Sequence, residues 1–259
     1  MTDRHSISLK SLWVSAIISV ILGVISRAYA NDPDALWNLV STECLPNEVQ
    51  HSDPKPCASV DLKDGYVILK DRRGLTQYLL IPTIRVTGIE SAYLLTPGVP
   101  NYFAHAWRER GYVERAAPRA LPQSAISLAI NSAKARSQNQ LHIHIDCIRA
   151  DVQEVLRREL SVIGYSWAPL SEPLVAGHHY RAMRVLADTL DGTNPFTLLV
   201  DSLPGVRTTV GEQSLVVVGA EFAAGPPGFI ILNSEVDRSS GDNGSGEELQ
   251  DHDCAIAHS

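Results

Sequence analysis

The stretch Asn139-Gln140-Leu141-His142-Ile143-His144-Ile145-Asp146-Cys147 alternates polar and apolar residues without a break. A period of two is what a half-buried β-strand requires, because successive side chains leave the backbone on opposite faces. Gln140, His142, His144 and Asp146 are therefore expected on one face, with Leu141, Ile143 and Ile145 packed beneath. Two imidazoles flanked by two hydrogen-bonding side chains would then look into one cleft. The apolar run Ser127-Leu128-Ala129-Ile130-Asn131 precedes this stretch across a polar loop, residues 132–137, and the two segments read as an antiparallel hairpin. The rest of the chain has to brace and cover that face.

At 259 residues and 44% hydrophobic content the chain can bury a core, in one large domain or two small ones. A formal charge of −7 and no basic stripe argue against a nucleic-acid partner, since duplex binders neutralise many phosphates. A few local cations would still suffice for a small anionic substrate.

Leu12 to Ile25 is an apolar run that follows Arg4 and Lys10, the pattern of an export segment. It approaches the roughly 18 to 20 residues that a spanning helix needs. Ala28-Tyr29-Ala30 resembles a signal-peptidase site, but Arg27 stands where cleaved signals are usually uncharged, which favours an uncleaved anchor. Residues 1–30 are accordingly expected to be a membrane anchor or signal segment, and residues 31–259 the functional domain. The positive-inside rule places that domain outside the cytoplasm, as a single-pass protein of a bacterial-type inner membrane with its body on the periplasmic side.

Asp32 as N-cap, Pro33 at the first helical position and an apolar stripe of Leu36, Trp37 and Val40 predict a short docking helix. Cys44 and Cys57 flank a Pro- and Asn-containing loop, residues 45–56, with little apolar content of its own. Four cysteines in an exported chain make two bridges the default. Of the three connectivities the simplest joins Cys44 to Cys57 and Cys147 to Cys254, with free buried thiols as the alternative.

Residues 66–70 and 77–82 read as a hairpin across the turn Asp71-Arg72-Arg73-Gly74, and 102–115 as a helix weakened or bent at Gly111. Asp151-Val152-Gln153-Glu154 has capping-box spacing and predicts a helix start. Residues 196–200, 214–219 and 229–232 suggest a second antiparallel layer. Residues 238–250, rich in Gly, Ser, Asp and Asn, have the composition of a flexible linker.

Gln140-Leu141-His142-Ile143-His144-Ile145 resembles the histidine-triad strand, with glutamine in the first histidine position. Around it stand SLAINS at 127–132, RSQNQLHIHIDCIR at 136–149, YVILKD at 66–71 and QYLLIPTIRVTGIES at 77–91. ECLPN at 43–47, GHHY at 177–180 and DHDC at 251–254 complete the set. Together they resemble the CDP-diacylglycerol pyrophosphatase family of the histidine-triad-like superfamily, over residues 36–205 and again at Cys254. Nothing is carried over between 206 and 250. The resemblance implies an α+β fold, a histidine-triad-like antiparallel sheet with packed helices, preceded by one N-terminal membrane helix.

It also implies a chemistry, the hydrolysis of CDP-diacylglycerol to CMP and phosphatidate. A neutral imidazole can attack phosphorus and form a phosphoramidate that water then hydrolyses. In the family the central histidine attacks, which is His142 here; His144 would hydrogen-bond the phosphoryl oxygens as charge builds. Gln140 would orient a neighbour, Ser137 falls beside the leaving group, and Asn131 near the nucleophile. Lys70, Arg85, Lys134 and Arg136 are candidate diphosphate contacts, and His178 and His179 either approach the site or cap a loop. No cofactor is expected. A metal site on His142, His144 and Asp146 is disfavoured because the central ligand would crowd the others. The expected partners are CDP-diacylglycerol and membrane lipid, with the oligomeric state open. A nucleotidyl hydrolase or transferase with a soluble substrate, and a non-catalytic nucleotide-lipid binding module, are the alternatives.

Overall fold

In the computed structural model, which describes residues 32–222 and 227–258, the hairpin read from the sequence is the middle of one antiparallel sheet. Among the described residues ten strands join it: β1 (Ser59–Asp61), β2 (Tyr66–Lys70), β3 (Tyr78–Pro82), β4 (Ile126–Ile130), β5 (Ile143–Ile148), β6 (Ala168–Pro169), β7 (Arg181–Leu186), β8 (Gln213–Glu221), β9 (Pro227–Glu235) and β10 (Gln250–Asp251). Their lateral order is β1-β2-β3-β5-β4-β8-β9-β7-β6. β10 takes over the edge of β5 where β3 ends, pairing at Cys147 and Ile148 while β3 pairs at Ile143 to Ile145.

The alternation of β5 divides the molecule. Ile143, Ile145 and Cys147 enter the larger core with Leu80, Leu128 and Val217 of the flanking strands. That face is covered by Phe103 and Trp107 of helix Tyr102–Arg108 and by Phe196 and Leu199 of helix Pro195–Ser202. The opposite face carries two smaller cores. One gathers Val67, Leu79 and Ile81 under Val40 and the Cys44–Cys57 bridge. The other gathers Ala129, Val216 and Val218 under Val152 and Leu156 of helix Ala150–Glu159. His144 stands opposite Leu79 and Ala129 in register, so it falls in the gap between these two cores.

Several local expectations are corrected. Residues 45–51 are not loop: helix Ala35–Leu39 runs through a π-helical turn, Val40–Cys44, into helix Leu45–His51. In a regular helix the Pro46 ring would meet the carbonyl of Thr42, and the widened turn lies where that clash must be relieved. The helix expected over 102–115 is two pieces, Tyr102–Arg108 and Gly111–Ala116, separated at the glycine that was expected to bend it. The capping box does not form; Asp151 lies inside the helix and pairs with Arg149, and Glu154 pairs with Arg157 and Arg158.

Residues 195–202 are helical, capped by Asn194 with Pro195 in the first turn. Among the described residues there is no second sheet layer either. β8 and β9 are apolar on both faces and pair directly into the main sheet beside β4, as doubly covered strands must. Residues 238–250, with their linker composition, fold down onto the sheet, burying Asp242, Leu249 and Gln250. The anchor expected at residues 1–30 lies outside the described residues; among the described ones no helix is long and apolar enough to cross a membrane.

Both expected bridges are present, Cys44–Cys57 and Cys147–Cys254, closing sequence separations of 13 and 107 residues. Loop-closure entropy gives about 3 kcal/mol for a loop of the shorter kind and about 4.7 kcal/mol for the longer. Replacing Cys147 and Cys254 together by Ser should therefore lower the urea midpoint further than replacing Cys44 and Cys57. Equal or reversed midpoint shifts would show that native-state packing, rather than chain entropy, sets the value of the bridges.

Candidate active site

His142 precedes β5 and its Nδ1 lies 2.7 Å from the carbonyl oxygen of Gln140. A carbonyl only accepts, so Nδ1 carries the proton and Nε2 keeps its lone pair. His144 has the opposite tautomer. Its Nδ1 lies 2.9 Å from Nε2 of Gln77, an amide nitrogen that also donates to Oε1 of Glu247 at 3.1 Å. Two acceptors on the same side require the NH2 end of Gln77 there, so Nδ1 of His144 accepts and Nε2 bears the proton. The two rings meet edge to face with centroids 4.9 Å apart.

Both imidazoles are buried, which disfavours their charged forms. Burial lowers the pKa of His142 below 6.5 and carries that of His144 down to about 4. The pair is therefore neutral at physiological pH, one ring presenting a lone pair and the other an N–H.

Behind His144, Asp146 is fully buried and accepts hydrogen bonds from Thr76 Oγ1 (2.6 Å), the backbone N–H of Cys147 (2.8 Å) and His252 Nδ1 (2.7 Å). His252 Nε2 is 3.4 Å from Oε1 of Glu247, whose Oε2 lies 3.6 Å from Nε2 of His144. The hydrogen bonds to Asp146 and then to Glu247 raise the pKa of His252 to about 10. Burial alone pushes Asp146 upward against those donors. The shared proton rests on His252, because two further donors already occupy the Asp146 carboxylate. Burial also opposes the charge on Glu247, but His144, His252, Gln77 and Asn131 outweigh it and hold the carboxyl well below its ordinary range. Asn131 holds the residue at both ends, accepting from its N–H at 3.0 Å and donating to Oε2 at 3.3 Å.

These groups open into a cleft of about 610 Å³. Its lining includes the apolar Leu36, Leu39 and Leu79 and the charged run Lys70, Asp71, Arg72 and Arg73. His142, His144, Asn131 and Ser137 reach it as expected. Gln140 does not, which corrects the expectation that its side chain shares the histidine face. Regular pairing of β5 begins only at Ile143, and the Gln140 amide is spent on the carbonyls of Pro82 and Ile84 and the N–H of Val86. It orients His142 through its backbone carbonyl instead.

The expected cations divide in the same way. Arg85 is paired with Asp34 and Arg136 with both oxygens of Glu90, and neither lines the cleft. Lys134, exposed, is likewise outside it. Lys70 lines the cleft, but its ammonium donates to the carbonyls of Asp71 and Gly74 at 2.8 and 3.1 Å. His178 binds Glu248 at 2.9 Å and His179 is exposed, so neither joins the site.

Arg72, Arg73, Gln77, Glu247 and His252 were not singled out from the sequence. The first two read as turn residues, Gln77 as the start of a strand, and Glu247 as part of a linker. The one signal was DHDC at 251–254, which contains His252 but not Glu247 and to which no chemistry attached.

A family model described as CDP-diacylglycerol pyrophosphatase matches residues 31–258. A curated relative from Yersinia pestis, named CDP-diacylglycerol pyrophosphatase, is 39% identical over 255 residues, covering 97% of this chain and 96% of its own length. Both matches therefore include the segment 206–250, which carries Glu247 and to which the motif resemblance does not extend.

The depressed pKa of His144 has a consequence for stability. The unfolded ring takes up a proton below about 6.5, the folded ring only near 4, so stability is lost as the pH falls through that window. The melting temperature of the wild type should fall more steeply between pH 6.5 and 4 than that of His144→Gln. Parallel curves would mean that the ring is protonated equally in both states.

Proposed function

The chain belongs to the CDP-diacylglycerol pyrophosphatase family, and on that premise we propose that it hydrolyses CDP-diacylglycerol to CMP and phosphatidate through a nucleotidyl intermediate on His142. The observation that carries this reading is the tautomer of His142 within the cleft. Its Nε2 lone pair is free to attack the cytidylyl phosphorus, and the bond from that phosphorus to the phosphatidate oxygen breaks as the N–P bond forms. Water then attacks the same phosphorus, the electrons of the N–P bond return to Nε2, and CMP leaves with the water oxygen.

His144, with Nδ1 accepting from Gln77, keeps its Nε2–H as a donor for the phosphoryl oxygens, where negative charge grows. Arg72 and Arg73 supply the positive charge that a diphosphate needs at the rim. Ser137 lies on the cleft wall where a leaving oxygen could be met. The hairpin with its central histidine supports a histidine-triad-like architecture for the sheet.

A lipid substrate asks for a membrane nearby. The apolar residues 12–25 fit a tether, and two disulfides fit an oxidising compartment, which supports a single-pass protein with its body on the periplasmic side of a bacterial-type inner membrane. The described chain starts at the cleft itself: Gln138 donates to the carbonyl of Asp32 and accepts from the N–H of Leu36. A tether preceding Asp32 would hold the cleft beside the bilayer, where a two-chain lipid is concentrated.

Rapid quenching of the reaction should trap CMP on His142 through an acid-labile bond, and in labelled water the released CMP, not phosphatidate, should carry the label. His142→Ala should abolish turnover. His144→Ala should leave a residual rate, the loss being about 2.7 to 4 kcal/mol by analogy with a removed oxyanion donor. Label in phosphatidate, or full activity in His142→Ala, would reject the mechanism, and turnover of soluble dinucleotides alone would reject the lipid substrate. For the tether, mature protein recovered in the membrane fraction should begin before Asn31; N-terminal sequencing that starts at Asn31 would overturn it.

A further inference from the structure

Four ionisable side chains follow one another from the buried strand to the cleft: Asp146, His252, Glu247 and His144, separated by 2.7, 3.4 and 3.6 Å. His252 sits between two carboxylates with a ring nitrogen toward each, an arrangement that only the imidazolium satisfies at both ends. Its backbone is fixed as well. The N–H groups of Leu75 and Thr76 donate to its carbonyl, and a Cβ on Gly74 would come within 2.2 Å of that oxygen, so the turn between β2 and β3 rests directly on it.

Glu247 is at first sight misplaced, since a carboxylate in a cleft for a diphosphate repels its substrate. Substrate binding does not account for it. What Glu247 does face is Nε2 of His144, a buried ring nitrogen with no hydrogen-bond partner of its own. The other charges near the bridge are Arg73, 3.9 Å from Glu247, Asp71 of the same turn, which lines the cleft beside the histidines, and the chain neighbours Glu248, Asp251 and Asp253; Glu248 pairs with His178, Asp251 accepts from the N–H groups of Asp253 and Ala255, and Asp253 is exposed.

We propose that Asp146, His252 and Glu247 are positioning residues for the reaction at His142. The carboxylate–imidazolium–carboxylate bridge locks Glu247 in place, and the Glu247 charge, 3.6 Å from Nε2 of His144 and not hydrogen-bonded to it, favours the tautomer whose Nε2–H is left to donate to the phosphoryl group. This role rests on the nucleotidyl-histidine reading above. Gln77 fixes the ring by a hydrogen bond at Nδ1 while Glu247 acts on it by charge from the Nε2 side, so the C-terminal segment contributes to the tautomer of His144. The bridge is charged throughout the neutral range and fails as His252 loses its proton at about pH 10.

Two readouts on the full-length protein test this. In an imidazole nitrogen NMR titration of the wild type, His252 should stay protonated to about pH 10, and in Glu247→Gln its midpoint should fall. Glu247→Gln and His252→Gln should each lower kcat against CDP-diacylglycerol by roughly 10- to 100-fold, by analogy with the outer-shell partners of metal-ligating histidines. KM should not rise in Glu247→Gln, because the substitution removes a negative charge from an anion-binding cleft. A purely structural defect would instead appear as lost thermal stability with KM and kcat failing together.

Titration of wild-type His252 near 6.5 would overturn the bridge whatever the activity. Unchanged kcat in a folded Glu247→Gln would overturn the positioning role alone. Absence of turnover by the wild type would refute the lipid hydrolase reading and, with it, the role assigned to Glu247.

Discussion

Nδ1 of His142 lies 2.7 Å from a carbonyl that has no proton to give, so the proton at that contact belongs to the imidazole. The lone pair at Nε2 follows from this alone, and any chemistry at His142 depends on the carbonyl of Gln140 staying where it is. The side chain of Gln140 secures that. With three hydrogen bonds to the backbone around residues 82–86, it pins its own peptide against the strand exit of β3. Gln140 is thus a scaffold residue, and an imidazole at this position would have fewer hydrogen bonds to offer that loop.

The fold places polar chemistry in a gap between cores. On one face of the sheet the apolar side chains are continuous; on the other they gather in two clusters, one under the N-terminal helices and one under helix Ala150–Glu159. His144 and Asp146 occupy the interval, His144 between Leu79 and Ala129 and Asp146 opposite Ser127. Low-dielectric walls on either side keep the imidazoles neutral, and the same walls strengthen every charge-assisted contact made between them. The cost of burying Asp146 and Glu247 there is offset by the donors converging on them, and the one cation among them, His252, is shared by both.

Much of this was legible in the sequence where the signal was a short period. The alternation over 139–147 gave the face of His144 and Asp146 correctly, because residues inside a paired strand obey it. It misplaced Gln140, which lies before the pairing begins and answers to its hydrogen bonds instead of to strand geometry. Cysteine counting and loop position anticipated both bridges. Residues 196–200 read as an apolar segment of a sheet layer, but Asn194-Pro195 was an unused helix signal. Glu247 and His252 were out of reach for another reason. Their environment is made by contacts to Gln77, Asn131 and Asp146, far away in the chain, whereas Gly- and Ser-rich composition reports only local chain stiffness. Arg85 and Arg136 show the converse: a cation near a motif in sequence is easily claimed by a carboxylate that sequence distance hides.

The Cys147–Cys254 bridge changes what counts as near in this chain. Asp146 and His252 are 106 residues apart along the backbone, so their meeting would ordinarily be among the late, topologically expensive events of assembly. Through the sulfurs, Asp146 is one residue from the crosslink and His252 two. Once the bridge exists, the two halves of the site are searching a loop of a few residues, and the entropy of closing the long one has already been spent. The order of oxidation and collapse thus bears on the site directly: a chain crosslinked early carries its strand and its C-terminal segment to each other, and the intervening strands β7, β8 and β9 can complete the sheet around a contact that is already local.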